Sequence, residues 1–339
     1  MTQPFSLKTS VQLGVVPTHI KFVGGLVPDG EGRLPRGEDG RLIVVSEMAA
    51  ICEASPVPVQ NAQVTIFPGT HEGDTDEMFG GLRDLGLGLH PIMMVGGADP
   101  MDPVDEEKVA AMLAAGLRVA IKHGITQVAS TSIEQWMQPG ATPKTGADFD
   151  AAVAQNVRAH LRACREAGVE GSCIEHWHIE FLRQGEFQTF NDIAKCWAVV
   201  KAANAELGSK FFKIMVDAAH CGDSGLSIPE NEALIAQVAA ADEFGTFHAS
   251  AKTTRGCLST DDGWIGALLA AAARSGKLKY VFVEIFHHED PALEALRQLD
   301  PGHGIDTTDG RTYRQATIDG VVDVARRLNN LVARGWLKN

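Results

Sequence analysis

Four residues in the C-terminal half of the chain stand at or near the ends of apolar runs. They are Glu180 in CIEHWHIEF, Asp217 in KFFKIMVDAAH, His248 in FGTFHAS and Glu284 in KYVFVEIF. The intervals between them are 37, 31 and 36 residues. One strand with its returning helix takes roughly 30 residues or more, so each interval is one βα unit. Four successive parallel strands would then present Glu, Asp, His and Glu at their C-terminal ends, the face on which α/β barrels carry active sites. Three carboxylates and one imidazole make a hard, oxygen-rich donor set. It suits Mn²⁺, Mg²⁺ or Co²⁺ better than a structural zinc, which prefers thiolates.

A divalent cation gripping two oxygens of a hydroxyketone acidifies the carbon acid between them and stabilises the enediolate left by proton loss. Two carboxylates on opposite sides of the sugar could remove and return that proton. Glu180 and Glu284 are the candidates, as catalytic groups and as metal ligands alongside Asp217 and His248. Attack on one carbon from both faces gives epimerisation, and transfer to a neighbouring carbon gives aldose–ketose isomerisation. Loss of a β-substituent gives dehydration or glycoside cleavage.

The elements that must hold these residues follow from the apolar pattern. Strands are expected at 11–16, 62–67, 89–95 and 125–130, before the four that end in the candidate ligands. Helices are expected at 46–54 with Ser46 as N-cap, 76–85, 105–123, 149–167, 192–206, 229–241, 263–275 and 317–336. Gly124 and Gly168 close two of them. Eight strands alternating with about eight helices indicate a (β/α)₈ TIM barrel. Gly24–Arg41 and His287–Gln315 read as long loops after strands one and eight, placed to act as lids over one mouth, with a hairpin at GEDGR.

The 339 residues are read as a single (β/α)₈ domain spanning 1–339, since such barrels take about 250 residues and more with insertions. Apolar residues make up 45%, enough for a large core. Thirty Lys and Arg against 43 Asp and Glu leave a net charge of −13, which argues against a nucleic-acid partner. No apolar run is long enough for a membrane span, and the N-terminus has no signal-peptide pattern. The six cysteines form no CxxC pair, and a reduced, cytoplasmic protein is expected. No Gly-x-Gly-x-x-Gly follows strand one, so a dinucleotide fold has no support.

At these residues the chain resembles the xylose isomerase-like TIM barrels, and within them the sugar epimerases of the D-tagatose 3-epimerase kind. The resemblance runs from Ile174 to Phe286, while the N-terminal half shares only the fold rhythm. It rests on Glu180 followed by Arg183 and Glu186, on Asp217-x-x-His220, on His248 followed by Arg255 and Gly256, and on Glu284 in VFVEIF. It implies a sugar isomerase or epimerase with a small carbohydrate substrate and one divalent metal, Mn²⁺ ahead of Mg²⁺ or Co²⁺. It also implies substrate contacts from Glu186, His220 and Arg255. Barrels of this family often pair, so homo-oligomerisation stays open.

Other outcomes stay open too. A lyase or dehydratase acting on a keto-sugar, inosose or 3-oxo-glycoside would use the same site, and a non-catalytic barrel would keep only the fold. An endonuclease IV-like phosphodiesterase needs further His and carboxylate ligands and a surface that tolerates DNA. Among lesser candidates, His287 and His288 could reach the mouth, and His71, Glu72, His90 and Asp99 lie near N-terminal strand ends. His176 and His178 share a strand face with Glu180 by period two, which leaves them either filling the barrel or contacting substrate. Glu175 lies on the opposite face. His123 and His160 sit in helices and are read as structural, and the Met93–Met94 pair as core filling.

Overall fold

Alternation along the strands sets the architecture. In His176–Glu180 the side chains of Trp177 and Ile179 are fully buried on one face, and His178 and Glu180 on the other. A strand apolar on one face and chemically loaded on the other needs helices outside and a filled lumen inside. The structure, a computed structural model, describes residues 6–17, 23–251, 261, 263–285, 298 and 311–339. In it the strands form one parallel sheet.

The strands are β1 (Gln12–Val16), β2 (Asn61–Ala62 and Thr65–Ile66), β3 (Gly88–Leu89 and Ile92–Met93) and β4 (Gln127–Ser130), then β5 (His176–Glu180), β6 (Phe212–Asp217), β7 (Phe244–Ala249) and β8 (Tyr280–Glu284). β2 and β3 are each interrupted for two residues. Pro91, which has no N–H, sits at the second break, yet its carbonyl still accepts from Ala129 N at 2.8 Å. β1 pairs with β2 on one side and β8 on the other, Val16 standing opposite Glu284. The ring therefore closes as the eight-stranded barrel read from the sequence.

Two packing zones follow. Strand faces such as Leu13, Val15, Trp177, Ile179 and Ile214 pack outward against the helices. Val16, Ile92, Ala129, Met215 and Phe282 fill the lumen. Gly14 is required there, because a Cβ on it would lie 2.5 Å from the Phe282 ring. His178 also fills the lumen, with its Nε2 3.0 Å from Gln127 Oε1.

The register between β6 and β7 carries an irregularity. Ile214 stands opposite Phe244, but Val216 stands opposite Phe247 and Asp217 opposite His248. Gly245 and Thr246 together oppose Met215, the two-against-one count of a β-bulge. Without the extra residue Asp217 would face Phe247. The bulge therefore turns His248 into the lumen beside Asp217. Gly245 leaves room for the His178 ring, which a Cβ would strike.

Several helices begin earlier than the pattern suggests. The helix expected at 46–54 begins at Ile43 rather than Ser46, with Leu42 at its N-cap and no side-chain cap. Burial of Leu42 and Val44 decides that start, not the Ser46 hydroxyl. The helix expected at 76–85 begins at Glu72, where His71 Nδ1 accepts from Gly73 N. The last spans Tyr313–Ala333 behind a Thr312–Gln315 capping box.

The segment after β1 is not a free loop. Val23–Leu26 is a helical turn, and the expected hairpin forms, with Gly37 N donating to Arg41 O. Asp74, 1% exposed, accepts from Leu34 N and faces Arg33 and Arg36 at 2.9 and 3.0 Å. Arg36 also grips Glu77. Of His287–Gln315, residues 287–297 and 299–310 lie outside the described residues, and Tyr313, Arg314 and Gln315 belong to the last helix rather than to a loop.

Candidate metal centre

Glu180, Asp217, His248 and Glu284 stand at or near the C-terminal ends of β5 to β8, and each can offer a ligand atom within 4.8 Å of the others. Their convergence follows from register. Glu180 stands opposite Met215, two residues below Asp217, and His248 stands opposite Phe282, two below Glu284. Offsets of zero or two residues keep all four on the lumen face, and a slip of one would turn a ligand outward. All four are 0–3% exposed.

His248 sits at the hub. Its Nδ1 lies 3.0 Å from Glu284 Oε2, 3.3 Å from Glu180 Oε1 and 3.8 Å from Asp217 Oδ2. Its Nε2 lies 2.6 Å from Gln63 Oε1, while the Gln63 amide nitrogen points at Met215 Sδ. Burial alone would push the imidazole pKa down. The Glu284 and Glu180 carboxylates outweigh it and hold the pKa well above its ordinary value. Three carboxylates this close and this deep need positive charge among them. The donor set therefore fits a divalent cation held by His248 Nδ1 and one oxygen from each carboxylate.

The Asp-x-x-His spacing has a local cause. Asp217 is the N-cap of the short helix Ala218–Gly222, and its Oδ1 accepts from His220 N at 2.8 Å. That is the three-residue span of a capping carboxylate. It leaves Oδ2 for the centre. His220 Nδ1 accepts from Arg183 N at 2.9 Å, so the proton of the neutral ring sits on Nε2, 3.7 Å from Glu180 Oε1. His220 thus borders the centre without joining the four.

Glu186 lies on the segment after β5 and accepts from Trp136 Nε1 at 3.0 Å. Arg183 Nε lies 3.2 Å from Asp223 Oδ2. Arg255, Gly256, His287 and His288 are outside the described residues. The lesser candidates stand apart from the centre. Glu72 pairs with Lys122, His123 with Asp76, and Asp99 Oδ1 accepts from Met101 N. Glu175 accepts from Gln127 Nε2, and His90 packs edge-on against Tyr280 and Phe282. His160 is structural, held by Ser132 Oγ and Asn156 O. Met93 packs against Gly116 in the core, as expected.

Gln63, Trp136 and Glu134 were not singled out in the sequence. Gln63 carried a usable signal, a polar residue inside the apolar run AQVTIF. Trp136 and Glu134 lie in an irregular stretch with none. A cavity of about 320 Å³ lined by Phe67, Met94, Met112 and Arg118 contains none of the four candidate ligands.

No protein-family model matches the sequence, and no curated protein matches it. Solved structures do match. A D-psicose 3-epimerase from Clostridium cellulolyticum H10, determined with D-tagatose, superposes with a TM-score of 0.68 at 13% identity, covering 94% of this chain and 99% of that one. An L-ribulose 3-epimerase gives 0.66 at 15%, covering 95% and 98%. A D-allulose 3-epimerase from Methylomonas sp. gives 0.65 at 14%, covering 97% and 99%. No described helix is long and apolar enough to cross a membrane. At these identities the likeness is one of architecture: this chain has the TIM-barrel fold of these epimerase structures.

Proposed function

We propose that this chain is a divalent-metal-dependent epimerase or isomerase of a small keto-sugar, with Mn²⁺ the first candidate cation and Mg²⁺ or Co²⁺ next. The observation that carries the reading is the placement of Glu180 and Glu284. They come from non-adjacent strands, yet both lie within 3.3 Å of one imidazole nitrogen. A divalent cation there would acidify the sugar carbon between hydroxyl and carbonyl and spread the charge that proton loss creates. The protein supplies the proton acceptor and donor. One carboxylate takes the proton from one face of the sugar, and the other returns a proton to the opposite face. His220, whose Nε2 lies 3.7 Å from Glu180 Oε1, is proposed together with Glu186 and Arg255 to hold sugar hydroxyls. The sugar-epimerase identity of the matched structures supports the substrate class. Their coverage of nearly the whole chain supports one barrel domain over residues 1–339.

The test is direct. Protein loaded with Mn²⁺ is incubated with D-tagatose and other free ketoses in D₂O. The expected result is deuterium at a carbon next to the carbonyl, with the epimer or aldose isomer as product. Net loss of water from the ketose would move the assignment to a lyase. Full metal occupancy with no carbon exchange on any ketose would reject the catalytic reading.

A further inference from the structure

We propose that Glu134 is a positioning residue for the substrate-facing rim, the template on which the segment after β5, carrying Arg183 and Glu186, is set beside the centre. The sugar part of this inference rests on the proposed function; the clamp itself does not. Glu134 lies just after β4 and is 2% exposed. Its Oε1 accepts from Gln188 N at 2.8 Å and Thr189 N at 3.1 Å, and its Oε2 from Thr189 N and Phe190 N, both at 2.9 Å. One side chain thus gathers three successive backbone N–H groups of a segment outside any helix or strand. Bonds of this kind to a charged acceptor are about twice as strong as neutral ones.

The tie is reciprocal. Two residues beyond Glu134, Trp136 Nε1 donates to Glu186 Oε1 at 3.0 Å, and Met137 N donates to Glu186 O at 2.9 Å. Met137 holds a left-handed φ of 48°, a cost a non-glycine residue bears only where its surroundings fix it. Lys144 N adds a bond to Thr189 Oγ1. At the other end of the segment, Arg183 N donates to His220 Nδ1, and His220 borders Glu180. The segment is therefore pinned to the centre at one end and to Glu134 at the other, with Glu186 between.

The chemistry requires a carboxylate. Four contacts need lone pairs on two oxygens. A Gln would keep one oxygen and turn its NH₂ toward backbone N–H groups, donor against donor.

The experiment compares wild type with Glu134→Gln and Glu134→Ala. Backbone amide exchange is read by mass spectrometry in the metal-loaded protein without sugar, Mn²⁺ affinity by titration, and kinetics with D-tagatose. In both variants exchange at residues 188–190 should rise about tenfold or more, the size expected from losing one charge-assisted hydrogen bond. Exchange in β5 to β8 and Mn²⁺ affinity should hold. KM for D-tagatose should rise more than kcat falls, as when binding contacts common to ground and transition states are lost. Unchanged exchange at 188–190, a rise spread over the whole barrel, or a local rise with unaltered KM would each overturn the proposal. If the wild type acts on no ketose, the functional reading falls and the exchange data alone judge the clamp.

Discussion

Gln63 Oε1 lies 2.6 Å from His248 Nε2, reaching across the lumen from β2 to β7. The bond puts a proton on Nε2 and leaves Nδ1 to face the three carboxylates. Partners of this kind fix the tautomer of a metal-binding His, and losing one typically costs about 10–100-fold in metal affinity. Gln63→Leu should therefore weaken Mn²⁺ binding by about that factor while the fold stands. Unchanged affinity in a calorimetric titration would show that the contact does not orient the ligand.

Asp217→Ala and His248→Ala should each strip the centre. Asp217→Ala also removes the cap of Ala218–Gly222, which costs about 1 kcal/mol on its own, so a small loss of Tm is expected as well. Metal content after purification in excess Mn²⁺ is the measurement. Stoichiometric metal in both variants would mean that the cation is held elsewhere.

Replacing Glu180 or Glu284 by Gln keeps the shape and one neutral oxygen but removes the proton acceptor. General acid–base catalysis contributes about 10²–10⁴-fold, and each variant should lose turnover on that scale with some Mn²⁺ still bound. Near-wild-type turnover by metal-loaded Glu284→Gln would move the proton transfer to another group.

Burial pushes the His160 pKa down to about 4, its Nδ1 contact with Asn156 O offsetting this only in part. An unfolded His titrates near 6.5. Between those values the unfolded chain binds a proton that the native one refuses, so stability should fall as pH drops from about 6.5 to 4 and level off below. Linkage makes the fall about 3 kcal/mol for this group. Denaturant melts at several pH values would show it. A His160 ring-proton titration centred near 6.5 would contradict it.

Asp74 joins the 29–42 strap to the helix Glu72–Asp84, since one buried carboxylate takes Leu34 N and two arginines. Asp74→Ala leaves a buried N–H unpaired, a cost of about 1–3 kcal/mol. The variant should show faster amide exchange across residues 33–36 and a lower Tm. Wild-type exchange there would mean that Leu26, Leu34 and Leu42, all buried, suffice to seat the strap.

The apolar runs and their spacing carried the barrel and the four candidate ligands, because strand length, helix length and the period-two face rule are local properties of the chain. The N-cap logic behind Asp217 and His220 was local as well. Glu186 was legible only as a position in a motif, and its contacts with Trp136 and Met137 join segments about 50 residues apart. What the sequence alone did not decide is the bulge at Gly245 and Thr246. Counting alternation from Phe244, which faces outward, would put His248 on the outer face. The inserted residue reverses that parity, and it is tolerated because Gly245 lets His178 pass. Gln63 and Glu134 likewise acquire roles only from what stands across the lumen or the rim. Such pairings depend on distances between strands and loops that meet only when the ring closes, and no pattern along the chain encodes them separately.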